Sequence, residues 1–279
     1  MAISVDSVKE LRERTGAGMM DCKAALDAVA GDMEKAVDFL RKKGIAKAAN
    51  RAGRQAREGL VVSKIAGHKA AIVEANCETD FVARTEDFRK LAMLALEEVL
   101  AAGEQAVHSE KVTRRIGELS GKIGEKIVVR RAKAIESKDG ILFTYIHSNH
   151  KLGVLVELAS EKGGSHPALE ECGKHVAMQI AASNPISVTR AEIPASTLER
   201  ERAIFREEVK GKPDNIVEKI VQGKLDKFYK ASCLLEQPFI KDDAVSVQRV
   251  LDETGKKIGA AVKVRGFVRF QLGETAVAD

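Results

Sequence analysis

The sequence predicts an α+β fold: a small three-helix domain, then a core of two related α+β halves with small antiparallel sheets, the second half interrupted by an antiparallel helical hairpin. Three observations carry this. Residues 5 to 44 hold only short stripes of helical period, punctuated by glycine. A hairpin-then-helix pattern starts at Gly59 and starts again at Gly140. Two more helical stripes, between Ser187 and Phe228, break into the second copy with no counterpart in the first.

The N-terminal helices are expected over Val5 to Glu13, Met19 to Val29 and Met33 to Leu40. Met19, Cys22, Leu26 and Val29 share one face of the second. Thr15-Gly16-Ala17-Gly18 and Gly31-Asp32 separate them, since glycine takes the positive φ that ends a helix and Asp caps the next. Such a domain spans residues 1–45. Residues 46–58, with Lys47, Arg51 and Arg54 at helical spacing and Gly53 among them, read as a basic linker, helical in part.

In the core, Gly59 to Ile65 and Ala71 to Ala75 form a hairpin that is answered by Gly140 to Ile146 and Val154 to Leu158. Each second strand contains an apolar-acid-apolar triplet centred on Glu74 or Glu157, and the matching places suggest a shared structural role. A helix follows each hairpin, Thr85 to Ala101 and Leu169 to Ala182. A later strand closes each half, Lys126 to Arg131 and Val262 to Phe270. The first half is assigned to residues 59–139 and the second to 140–186 with 229–275, followed by a tail at 276–279. In the insert, 187–228, Leu198, Ile204, Phe205 and Val209 stripe one helix; Ile216, Val217, Ile220 and Val221 stripe the other. Gly211-Lys212-Pro213 turns between them and Asp214 is placed to cap the return. A hairpin leaving the core in this way is expected to turn its stripes toward a partner, such as a second copy.

Composition narrows the function. In 279 residues, 46 Lys and Arg stand against 41 Asp and Glu, a net +5 that is spread rather than concentrated. A dedicated nucleic-acid binder carries a denser basic footprint with aromatics for stacking, and the stretch from Arg41 to Arg57 has none. It reads better as a solvated linker than as an RNA contact. Four scattered cysteines, without a C-x-x-C pair or histidines at zinc spacing, suggest neither disulfides nor a metal, and a reducing cytoplasm. The start at Met1 shows no leader pattern, and no apolar run approaches membrane-spanning length.

Catalytic machinery is missing from the pattern. There is no phosphate loop, dinucleotide fingerprint, nucleophile elbow or H-E-x-x-H motif. The six histidines lie in different elements, so Cys77 reads as a buried structural cysteine rather than as half of a thiol and imidazole pair with His147. No enzyme activity, cofactor or metal is expected.

One segment stands out: Cys77-Glu78-Thr79-Asp80-Phe81-Val82-Ala83-Arg84. The chain has nine Phe, two Tyr and no Trp, and here an aromatic sits beside an acid at a strand-to-helix junction. Phe81 either packs inward or is presented. The matching junction of the second copy, Glu161-Lys162-Gly163-Gly164-Ser165, has no aromatic, which favours presentation: a duplicated core that needed one would have it twice.

These segments resemble a known family. Leu11 to Lys23 (LRERTGAGMMDCK), Asn76 to Ala83 (NCETDFVA), Lys122 to Glu125 (KIGE) and His175 to Ala182 (HVAMQIAA) are similar to stretches of bacterial elongation factor Ts, and the order of segments extends the likeness over nearly the whole chain. The resemblance implies a guanine-nucleotide exchange factor that binds the GDP form of elongation factor Tu without binding nucleotide itself. It implies a ubiquitin-associated-like N-terminal domain and a dimerisation role for 187–228, in a homodimer or a heterotetramer with the GTPase. It implies that Asp80 and Phe81, flanked by Thr79 and Val82, wedge beside the partner's magnesium site. Arg12, Met19, Met20, Ile123, Gly124 and His147 are implied as further contacts. One of the two methionines is nevertheless expected to face its own domain's core, Ile123 and Gly124 are expected in a loop, and His147 could equally serve its hairpin. Some members continue past the last strand into a C-terminal helical extension, whereas this chain ends shortly after Leu272-Gly273-Glu274. An RNA- or ribosome-binding accessory protein is the alternative.

Overall fold

The computed structural model describes residues 3–51, 53–161, 166–211 and 213–274. Lys162 to Ser165, on which the comparison of the two junctions rests, lie outside the described residues, as do Lys212 and the tail at 276–279.

The N-terminal unit begins with α1 (Val5–Thr15), whose first turn is capped by Ser4 accepting from the Ser7 amide at 3.0 Å. Gly16, at φ 66°, ends it in the left-handed conformation that glycine adopts without strain. Helix α2 (Met19–Ala28) and helix α3 (Met33–Asn50) follow, with Asp32 Oδ1 accepting from the Lys35 amide. Val8, Leu11, Cys22, Ala25, Leu26 and Ala36 make the small core of this unit. Helix α3 runs ten residues past its expected end at Leu40, through the first part of the expected linker. Alanine and lysine at 46 to 49 are strong helix formers, and the extension is laid against the first half of the core.

Strands β1 (Glu58–Ala66) and β2 (Lys69–Cys77) form the first hairpin. After it come a single helical turn, α4 (Asp80–Ala83), and α5 (Glu86–Ala102), started by Thr85 accepting from the Phe88 amide. Helix α6 (Glu110–Ile123), unforeseen in the sequence, leads to β3 (Val128–Glu136), which pairs antiparallel with β2. Gly117 and Gly121 make α6 look broken in sequence, but they are where α3 crosses it. A Cβ at Gly44 would lie 3.1 Å from the Gly117 carbonyl, and one at Gly121 would lie 3.1 Å from Gly44 Cα.

The second half repeats the plan. Strands β4 (Ile141–Ile146) and β5 (Leu152–Ser160) make the hairpin, and α7 (Pro167–Ser183) covers it. The insert then supplies α8 (Ala195–Glu208) and α9 (Asp214–Ser232), the latter extending beyond the expected limit at 228 and starting after Pro213 rather than from an Asp214 cap. A small ribbon of β6 (Pro238–Phe239) and β7 (Asp242–Ser246), then α10 (Val247–Ile258), precede β8 (Val262–Gln271), which pairs antiparallel with β5.

The duplication extends to a defect. The β2–β3 ladder shifts register between Glu74 and Ala75, and the β5–β8 ladder shifts between Glu157 and Leu158. The two sheets, in orders β1-β2-β3 and β4-β5-β8, pack face to face through Val61, Ile72, Leu142, Leu155 and Phe270. Their outer faces are covered by α5 with α6 and by α7 with α10, giving four layers around two outer cores and one central seam.

Glu74 and Glu157 serve this architecture unequally. Glu74 has no exposed surface, and its carboxylate accepts from Arg131 Nε at 2.6 Å, Gly273 N at 3.1 Å, Asn76 Nδ2 at 3.2 Å and Arg130 Nη1 at 3.3 Å. It thereby ties the first sheet to the turn after β8. Glu157, 13% exposed, accepts from Ser137 Oγ at 2.6 Å and Arg265 at 3.1 Å.

The insert differs from expectation. Its stripes face each other: Val209, Val221 and Leu225 are buried, with Phe205, Val217, Ile220 and Tyr229 packed around them. Ile204 and Ile216 alone of the stripe residues are substantially exposed.

Candidate partner-binding site

Strand β2 ends where its backbone is redirected. Cys77 is buried, and its thiol donates to the Thr79 carbonyl at 3.1 Å. Thr79 is extended, with its hydroxyl oxygen accepting from the Val82 amide, so it caps the single turn of α4. Within one helical turn, adjacent side chains point about 100° apart. Val82 therefore enters the core beside Phe88 while Phe81 points away and is 81% exposed. Asp80 also reaches solvent, where it pairs with Arg84 at 2.8 Å, a surface contact of small energetic weight. Thr85 Oγ1 closes the turn by donating to the Val82 carbonyl at 2.8 Å.

The facing wall is the end of α6. Ile123 is its last helical residue and Gly124, at φ 87°, its left-handed cap, so Ile123 belongs to a helix rather than to the expected loop. The next two residues engage the 78–79 segment. Glu125 Oε2 accepts from the amides of Glu78 and Thr79, both at 3.1 Å, and Oε1 accepts from the Thr79 hydroxyl at 2.7 Å. In return, the Glu78 carboxylate accepts from the Lys126 amide at 2.6 Å and from Arg54 at 3.3 Å. The Lys126 amide, then Arg54, holds the Glu78 carboxyl below the usual carboxylate range.

His147 lies in the β4–β5 turn, exposed, with Nδ1 2.8 Å from the Tyr145 hydroxyl. It therefore serves its hairpin while remaining accessible. Lys151 of this turn pairs with Glu58 at 2.7 Å, and Glu58 stands opposite Cys77 in the sheet register, which places His147 and the Thr79 turn at one end of the paired sheets.

Met19 and Met20 are 49% and 78% exposed, contrary to the expectation that one would fill its own domain. Cys22, Ala25 and Leu26 already supply the buried face of α2, leaving its first turn overhanging. Arg12 is exposed in the last turn of α1. The methionine end of α2 and the end of α6 are linked by Lys122, whose methylenes lie against Gly16 and whose Nζ donates to Asp87 at 2.8 Å.

Cys77 is not poised as a nucleophile. Burial, reinforced by the charges of Glu125 and Glu58, pushes the Cys77 thiol up to about 12, opposite to what a nucleophile needs. Among the described residues no group of three or more His, Cys, Asp or Glu could hold a metal ion, and no helix is long and apolar enough to cross a membrane.

A family profile described as "Elongation factor TS" matches residues 78–274, beginning within the junction that carries Phe81. The chain belongs to the elongation factor Ts family. Elongation factor Ts of Prosthecochloris aestuarii is 47% identical over 97% of this chain and 99% of its own length. The protein of the same name from Nitratidesulfovibrio vulgaris strain DP4 is 46% identical over 100% and 99%, and that of Clostridium botulinum strain Alaska E43 is 45% identical over 98% and 93%. As a member of this family, the chain is a translation elongation factor.

Sequence reasoning found the exposed Phe81 but not what holds it. Glu125 lies inside the family-like stretch Lys122 to Glu125, and the signal available was a glycine after a helix followed by an acid. Its partner at Thr79 is 46 residues away, a pairing that no local pattern reports.

Proposed function

We propose that this chain is a guanine-nucleotide exchange factor of the cytoplasm, binding the GDP form of elongation factor Tu and promoting GDP release without covalent chemistry of its own. The observation that carries the reading is Phe81: an aromatic 81% exposed, on a helical turn flanked by the hydrogen-bonded amides of Thr79 and Val82. An exposed aromatic on a fixed scaffold is the usual anchor of a protein contact. In the family arrangement Asp80 and Phe81, flanked by Thr79 and Val82, enter beside the magnesium ion of the GTPase. That ion bridges nucleotide phosphates and protein ligands, so an ångström of displacement weakens its hold and speeds GDP loss. The coupling is reciprocal: a factor that weakens nucleotide is itself weakened by nucleotide, and incoming GTP ejects it.

Burying Phe81 supplies about 1.5 to 3 kcal/mol. A shift of several kcal/mol needs further contacts. Met19 and Met20 suit an adaptable apolar surface on the nucleotide domain, with Arg12 beside them, and Ile123, Gly124 and His147 extend the contact. The N-terminal unit is then a ubiquitin-associated-like docking domain. Exposed Ile204 and Ile216 leave the insert open to a second copy, in a homodimer or a heterotetramer with the GTPase.

The test is release of fluorescent GDP from elongation factor Tu. The parent accelerates release strongly; Phe81→Ala loses most of the effect while its unfolding free energy stays within about 0.5 kcal/mol of the parent's, because the ring is outside the core. Equal acceleration by both proteins defeats the wedge. No acceleration by the parent directs attention to RNA, where binding would fall steeply with salt.

A further inference from the structure

We infer that Glu125 is a positioning residue for the exchange reaction: its carboxylate fixes the Thr79 turn and so presents Phe81 in a single orientation before any partner arrives. This inference rests on the exchange reading above, and the experiments below separate the two.

The geometry is that of a reciprocal clamp. Two segments lie side by side, 77–82 and 123–126, and each contributes an acid that takes backbone amides of the other. Glu125 takes the amides of Glu78 and Thr79, while Glu78 takes the amide of Lys126. A carboxylate receiving charge-assisted bonds from backbone donors forms one of the stronger polar contacts available. Glu125 also holds the Thr79 side chain through Oε1 at 2.7 Å, which leaves that hydroxyl's oxygen lone pairs aimed at the Val82 amide. A four-residue helical turn is too short to persist alone, since helix nucleation is unfavourable. Val82 and Thr85 hold the far side of the turn, so the direction of Phe81 is completed by the Thr79 cap, and the cap is held by Glu125.

The clamp is itself braced. The Glu125 carbonyl accepts from Ser120 Oγ at 2.6 Å, and Arg51, just beyond the end of α3, donates to Ser120 O at 2.9 Å and to Ser120 Oγ at 3.2 Å. Arg54 reaches Glu78 and the Gly124 carbonyl, and Lys126 Nζ donates to the Arg54 carbonyl at 2.8 Å. The segment after α3 is thus stitched to both sides of the clamp. Glu125 has no need to touch the partner, because its two carboxylate oxygens are engaged by the 78–79 segment.

The chain has no tryptophan, so Phe81→Trp installs a single indole at the tip. Its time-resolved fluorescence anisotropy, read on the isolated full chain, reports tip motion independently of any exchange activity. With Glu125 intact, the decay is expected to show overall tumbling plus only the fast rotamer motion of an exposed side chain. Adding Glu125→Ala is expected to introduce a large nanosecond component, with far-UV circular dichroism unchanged. Glu125→Gln, whose carbonyl oxygen can still receive both amides and whose amide can donate to the Thr79 hydroxyl oxygen, is expected to restore most of the rigidity. Glu125→Asp, one methylene too short, is not.

In chains with native Phe81, GDP release should follow the same order, with Glu125→Ala slowing the accelerated rate about tenfold and Glu125→Gln recovering most of it. An unchanged anisotropy decay in the Glu125→Ala protein overturns the inference, whatever happens to exchange. So does a loss of exchange that Glu125→Gln fails to recover while the tip stays rigid, since Glu125 would then be a charged partner contact. If the parent itself fails to accelerate GDP release, the exchange reading falls, and the anisotropy series alone decides whether Glu125 positions Phe81.

Discussion

Truncating Glu74 and Glu157 in parallel asks how a duplicated core spends the same acid twice. Glu74→Ala removes a carboxylate with no solvent exposure and leaves Arg131, whose side chain is 18% exposed and 4.2 Å from the Phe270 ring, with only the Gln271 carbonyl at 3.0 Å and the Glu274 carboxylate at 3.9 Å among the described residues. Removing one member of a buried pair costs about 3 to 5 kcal/mol, because the remaining charge stays desolvated. Glu157→Ala removes two hydrogen bonds whose charged partner, Arg265, is 39% exposed and still reaches Asp139. That loss should be about 1 to 2 kcal/mol, since Arg265 can recover water. The two equivalent positions should then differ by about 2.5 kcal/mol at the centre of these ranges. At an m-value of ~2 kcal/mol per molar in urea, their midpoints separate by about 1 M. Urea titrations followed by far-UV circular dichroism measure this directly. Equal losses, or a cost below ~1 kcal/mol for Glu74→Ala, would refute the claim that Glu74 is the tie between the first sheet and the turn after β8.

Two further outcomes are expected. Gly44→Val should force α3 and α6 apart, because even a Cβ there meets the Gly117 carbonyl at 3.1 Å; overpacking of this kind costs about 1 to 3 kcal/mol and should slow GDP release by shifting Met19 and Met20 relative to Phe81. Gly44→Ala is the control, its gain in helix propensity of about 1 kcal/mol offsetting the milder crowding. Lys122 holds the Asp87 carboxyl below its ordinary range, first through the hydrogen bond from its ammonium, with Arg115 adding to its charge. A depressed folded-state pKa gives stability that is present above the unfolded value, about 3.9, and is lost as pH falls through the folded one. Lys122→Met should therefore lower the urea midpoint slightly at pH ~6, the difference fading as pH falls through the folded-state pKa, with pH-resolved denaturation as the measurement.

The sheets were legible because strand periodicity is local and here occurs twice, so Val61 or Ile72 in one copy vouches for its counterpart in the other. Helix α6 was not, because Gly117 and Gly121 carry the signature of chain breakers, and only the approach of Gly44 explains them. The end of α3 was missed for the same reason: what extends it past Leu40 is a surface supplied from about seventy positions further along, where Gly44 meets Gly117. At the site, Phe81 announced itself through the scarcity of aromatics and through its company. Met19 and Met20 were harder, since an apolar stripe does not say where its helix overhangs the core. Glu125 was silent, as a carboxylate bound to distant backbone amides leaves no periodic trace.

The uninterrupted run of α3 has a practical consequence. Eighteen helical residues span about 27 Å without a joint, so the N-terminal unit meets the rest of the chain as a beam does a wall. A chimera that swaps this unit between relatives at residue 45 would saw through that beam beside its seat on Gly44. The splice belongs beyond residue 50, and a graft made there carries its own alignment with it.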